Sequence, residues 1–199
     1  MHNYGAISAG SSSDHGDAQA YAAAVIGYSG IGLLINGGDL QAEASAGAGA
    51  DAQATGAFVI GAVASVFNDA SSSATATAGE GGTAIAKGAH VNGANSAINT
   101  YGDLSAIATV AGGTATAIGA DAYGYNSSSF YGSGGVTATA IADEGAASAT
   151  GVYSIGVYNA YATSKATISA TASGGQSTAT GLLNQSYFVA TTTNEGSIS

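Results

Sequence analysis

Asp17 and Asp51, Asp39 and Asp103, and the adjacent Asp143 and Glu144 are where this chain could do acid–base or metal chemistry. It holds only 12 carboxylates, two lysines and three histidines. A glycosidase needs two carboxylates on one face, one as acid and one as base or nucleophile. A polysaccharide lyase needs in addition a basic group to hold the developing anion. Arginine is absent, and Lys87 and Lys165 stand far apart, so the lyase chemistry lacks its cation. Asp17 and Asp51 fall at matching turn positions, as do Asp39 and Asp103. Acidic residues there serve as turn formers and solvated caps. No catalytic residue is assigned, and the sequence points away from an enzyme.

Metal chemistry fares no better. The calcium-binding nonapeptide of acidic β-rolls is missing; GAGAD at 47–51 and DEG at 143–145 offer oxygens without its spacing. His2, His15 and His90 share no repeat position, and no cysteine joins them, so no transition-metal set forms. The glycines open neither a G-x-S-x-G elbow nor a phosphate loop. No metal and no cofactor are expected.

Other residue types suit surfaces. TAT recurs at 75–77, 114–116, 137–139 and 178–180, and flat ranks of threonine could order water, an ice-binding reading. Its columns are interrupted by Glu43, Ile107 and Ile141, and β-propensity on a solvated face explains them as well. The chain has eleven tyrosines and four phenylalanines, concentrated in the third part of each repeat as in AYGYNSSSFYG, YSIGVYNAY and QSYFV. Some fill a core, and others are candidates for stacking on glycans or partner proteins.

Charge narrows the partners. At a formal −10, with 7% charged residues, the chain cannot neutralise a run of phosphates or dock on an anionic bilayer. Its most apolar stretch, residues 21–35, is too short and too broken to span a membrane. Residues 1–20 carry no basic or apolar signal, so an export signal is expected outside the chain.

What positions these residues is a repeat. In SSSATATAGEGGTAIAKG, residues 71–88, alanine alternates with threonine and serine, a strand period and not a helical one. The residue before each alanine run is Ile7, Leu40, Ser72, Leu104, Val136, Ile168 and Ile198, at intervals of 33, 32, 32, 32, 32 and 30. Each unit has three parts. The first strand places Ala42, Ala74, Ala106, Ala138 and Ala170 inward. The second carries Ala54, Ala86, Ala117 and Ala149 and ends on Gly56, Gly88, Gly119 and Gly151, read as turn glycines. The third closes on a large core side chain at Phe67, Ile98 and Phe130, with Val25, Val59, Ile26 and Ile60 as plugs and Asn36, Asn68 and Asn99 as turn residues. Asparagine tolerates left-handed turns and can stack its amide on the next coil.

These periods predict an all-β fold, a right-handed parallel β-helix of about six coils in one domain over 1–199. Alanine lines its narrow core because two walls of methyl groups approach closely. Two coils of 16 per unit, or a β-sandwich, are the alternatives.

The pattern N-x-G-x-I/L-x-A-x-A in NYGAISA and NGGDLQAEASA, and again in INTYGDLSAIATVAGGTATAIG, resembles the repeats of bacterial autotransporter passenger domains. Asn-x-Gly is lost in the third, fifth and sixth copies, at NDASSSA, YGSGGVTA and SKATISA. The resemblance implies a secreted β-helix displayed on a Gram-negative cell surface, commonly an adhesin, and a membrane barrel outside this chain. The expected work is extension and contact with a glycan or host surface. Self-association, end to end or lateral, is expected because bare strand edges invite pairing. A filament subunit is the alternative to the adhesin, and ice binding the third reading.

Overall fold

The computed structural model describes the whole chain, Met1–Ser199. It contains strands and turns but no helix. In chain order the strands are β1 His2–Asn3, β2 Ile7–Ser13, β3 Ala18–Asn36, β4 Leu40–Ala46, β5 Ala52–Asn68, β6 Ser72–Ala78, β7 Thr83–Thr100, β8 Leu104–Val110, β9 Thr114–Gly132, β10 Val136–Ala142, β11 Ala146–Gly156, β12 Asn159–Ser164, β13 Ile168–Ser173, β14 Gln176–Gln185 and β15 Val189–Asn194. The short strands form one sheet in the order β13-β10-β8-β6-β4-β2, and the long ones a second, β1-β3-β5-β7-β9-β11-β14, with β12 and β15 continuing β11 and β14. All pairings are parallel. Ala42 pairs with Ala74, and Ala74 with Ala106, so each coil takes about 32 residues and none splits into coils of 16. The molecule is a β-solenoid of about six coils.

The coil has two lobes. Ser72–Ala78 runs out, the glycine turn at 79–82 reverses it, and residues 83–88 run back. The Ser72 hydroxyl then donates to the Gly88 carbonyl at 2.8 Å. At the turn, Gly49 and Gly81 take left-handed backbone, φ 73° and 76°, which an L side chain resists. From Gly88 the strand leaves the first lobe and makes a second. There the segment at 89–93 faces the one at 95–100, as the hydrogen bond from Ser96 Oγ to the Tyr123 carbonyl indicates.

Alternation would break at such bends unless the strand changed phase, and it does. In β5 the buried positions that alternate on the core side are Ala52 and Ala54, then Ala57, Val59 and Gly61, then Ala64, Val66 and Asn68, with Thr55 and Gly56 also buried at the first bend. One residue is slipped at each bend, so the core side stays inward. The glycine column Gly56, Gly88, Gly119, Gly151 marks the first bend. It lies inside continuous strands, not in a turn. A methyl at Gly119 would collide with Val136, and one at Gly151 with Ile168.

Ala42, Ala74, Ala106, Ala138, Ala54, Ala86, Ala117 and Ala149 are all buried, in one core cluster of 43 residues, most of them alanine. Each methyl contributes only about 0.8 kcal/mol. The 142 backbone–backbone hydrogen bonds therefore carry much of the cohesion.

The third part differs from the sequence reading by one residue. Ile35 pairs with Phe67 and Phe67 with Asn99, whereas Val66 pairs with Ile98 and Ile98 with Phe130. Ile98 and Phe130 are core, but Phe67 points outward and is 42% exposed. Asn99 shares that outward column. Its expected place is taken by Thr100, which pairs with Asn68. Of the four plugs, only Val59 is fully buried, while Ile26 and Ile60 face outward in a second column. Asn36 and Asn68 end their strands without left-handed backbone, since positive φ is confined to glycine. They form a buried ladder: Asn3 Nδ2 donates to Asn36 Oδ1 at 2.7 Å, and Asn36 Nδ2 to Asn68 Oδ1 at 2.7 Å.

Candidate binding groove

The bend at the glycine column turns the outer faces of the two lobes toward one another, making a groove along the rod. One flank is the outward column Tyr21, Thr55, Lys87, Ile118, Thr150 and Thr180. The other is Ala24, Phe58, His90, Asp121, Tyr153 and Leu183. Both flanks face away from the core, yet Thr55 and Asp121 are only 6% and 5% exposed. A re-entrant corner accounts for that burial.

At mid-groove three titratable side chains meet. Lys87 Nζ donates to Asp121 Oδ2 at 2.6 Å, and His90 Nδ1 donates to the same oxygen at 2.7 Å. Burial by itself raises the Asp121 pKa, but the His90 hydrogen bond and the Lys87 and His90 charges outweigh it, and the net shift is downward. An Asp–His pair is two thirds of a hydrolytic triad. Here, however, lysine completes the cluster on the same oxygen, and no hydroxyl hydrogen-bonds to His90. The chemistry available is that of a closed ion cluster pinning the two lobes together.

Toward the first coil the groove becomes apolar. Phe58 stacks on His90 with ring centroids 5.4 Å apart and planes at 24°, and Tyr21 leans on Phe58 at 5.0 Å and 57°. A cleft of ≈380 Å³ opens beside them, lined by Tyr21, Ala24, Ile26, Tyr28, Phe58 and Ile60.

The carboxylates singled out in the sequence hold coils together and are not gathered into a site. Asp17 Oδ1 accepts the Asp51 amide at 3.0 Å, and Asp51 Oδ1 accepts the Thr83 amide at 3.1 Å. Asp39 Oδ1 accepts from the Ser71 hydroxyl at 2.6 Å, and Asp103 Oδ1 from the Gly135 amide at 2.8 Å. Each reaches one coil along the rod. Asp143 and Glu144 lie exposed on a turn. No three His, Asp or Glu side chains converge as metal ligands. Of the histidines, only His90 enters the groove. The column runs in register from Gly10 and Glu43 to Thr75, Ile107 and Thr139, so it is mixed in space as in sequence.

Sequence reasoning missed Asp121 and Lys87 because they lie 34 residues apart on opposite flanks. A signal was present: Gly88 and Gly119 are 31 apart, which places Asp121 directly above His90. No family model, curated protein or solved structure matches this chain.

Proposed function

We propose that this chain is a non-catalytic contact module: the extended β-solenoid of a secreted, surface-displayed bacterial protein, of the kind its autotransporter-like repeats suggest. Its work is to hold a binding face away from the cell. The observation that carries this reading is the segregation of its surface. Carboxylates crowd the turns, and the one in the groove, Asp121, is neutralised by Lys87 at 2.6 Å. The second lobe and its groove instead expose Ile26, Tyr28, Ile31, Val63, Tyr123 and Tyr125. Monomeric soluble proteins rarely leave contiguous apolar surface uncovered, and larger patches mark interaction sites.

The test is display of the chain on a non-adherent cell and measurement of retention on glycan-coated and protein-coated surfaces. Retention is expected, and the combined substitution by serine of Ile26, Ile60, Tyr123 and Ile155, rungs of one outward column, should abolish it. Retention unaffected by those changes would overturn the assignment of the face.

A further inference from the structure

We propose that the cleft at the first coil is a slot for one aromatic side chain of a net-basic polypeptide partner. The inference rests on the groove being the contact face, and it names what that face grips. Ala24, Phe58 and His90 are successive rungs of one column. Phe58 gives one face to His90, at 5.4 Å and 24°. On the other side the column continues to Ala24, a methyl in place of a ring, with the Tyr21 ring alongside Phe58 at 5.0 Å. Later rungs are His90, Asp121, Tyr153 and Leu183, so only this rung carries nothing beyond a methyl. The gap is walled by Tyr21 on the opposite flank, tilted 57° to Phe58, and by Ile26 and Ile60 along the outer column. A planar ring entering there stacks on Phe58 and meets the edge of Tyr21, the two geometries aromatic rings prefer.

The lining decides between kinds of ring. All six residues are apolar, and their only side-chain polar atoms are the hydroxyls of Tyr21 and Tyr28. A sugar ring would bring several hydroxyls into a space that satisfies almost none of them, and unpaired buried polar groups are costly. An aromatic side chain brings none or one. Charge decides the rest of the partner. The chain carries 12 carboxylates against two lysines, and both lysines are engaged, Lys87 with Asp121 and Lys165 with Glu195. Residues flanking the ring are therefore favoured when basic, and an acidic partner is repelled.

The test uses the full chain in solution, with binding followed by NMR shifts of Ala24, Tyr21 and Phe58. The probes are p-cresol as the isolated tyrosine ring, methyl β-glucoside as the sugar, and two short tyrosine peptides, one lysine-flanked and one glutamate-flanked. Expected are saturable shifts with p-cresol, none with the glucoside, and tighter binding of the lysine peptide that weakens with salt. Ala24→Phe, which fills the rung from within, should abolish p-cresol binding without loss of thermal stability. Phe58→Leu, which keeps the bulk but removes the ring face, should weaken it. Glucoside binding in place of p-cresol, or p-cresol binding that survives Ala24→Phe, would overturn the proposal. Since p-cresol binding needs no cell surface, loss of adhesion with binding intact would count against the display reading and spare the slot.

Discussion

Asn36 donates its side-chain amide to the Oδ1 of Asn68, one coil along, at 2.7 Å, and both side chains are completely buried. The chain of contacts goes on through Asn68 Nδ2 to Thr100 Oγ1 at 3.2 Å and Thr100 Oγ1 to the Gly102 carbonyl at 2.5 Å. A buried amide stack satisfies donors that water cannot reach. Where Gly132 replaces the polar rung, the ring of Phe130 occupies the space.

Asn68→Ala orphans the Asn36 donor in the interior. The expected loss is about 2–3 kcal/mol, read by urea denaturation. Asn99→Ala, in the outward column, should cost less than about 0.5 kcal/mol by the same measurement.

Ile98→Ala and Phe67→Ala separate the two columns that look alike in sequence. Ile98 is fully buried and Phe67 is 42% exposed. Truncating Ile98 should cost about 2–5 kcal/mol. Truncating Phe67 should cost under about 1 kcal/mol, with both changes read as shifts in denaturation midpoint.

The glycine bend is tested by Gly151→Ala against Gly10→Ala. A methyl at Gly151 meets Ile168 and the Gly181 carbonyl, whereas at Gly10 nothing lies within 4 Å. The first substitution should destabilise by about 1–3 kcal/mol or more. The second should be neutral or slightly stabilising, because alanine loses less backbone entropy than glycine.

Acid stability reports the Asp121 cluster. Its carboxyl has a pKa below the ordinary value in the folded chain. It therefore contributes stability that is fully present above the unfolded pKa of about 3.9 and lost as pH falls through the lower folded value. Asp121→Asn should destabilise by about 2 kcal/mol at neutral pH, since it leaves Lys87 without its counter-ion. The gap between wild type and variant should close as pH falls through the lowered Asp121 pKa. A gap unchanged by acid would show that the carboxylate charge is not what holds the lobes.

The repeat was legible because the first two parts of each unit place mostly alanine within and mostly hydroxyl side chains without. Small size marks the inward face, and counting then gives the coil. The third part was legible only coarsely. Leu34 and Ile35, Val66 and Phe67, and Phe130 and Tyr131 put bulky residues on both faces, so side-chain type no longer separates inside from outside. Matching Phe67 to Ile98 followed size across 31 residues, where the backbone there advances 32. The ion cluster was hidden for the opposite reason. The turn at 111–113 is one residue shorter than its predecessor, and the missing residue is restored at the register shift between Gly93 and Asn95. His90 and Asp121 therefore lie 31 apart, and a fixed count of 32 sets them on opposite faces.

Every interior coil of this rod meets its two neighbours through the same stacked columns, with the register adjusted only where a turn or bend gains or loses a residue. Such a molecule can gain or lose whole units without designing a new interface. Each unit added lengthens it by about 4.8 Å. Length thus becomes a matter of copy number: in-frame duplication of 96 bases, one 32-residue unit, is enough to add a coil.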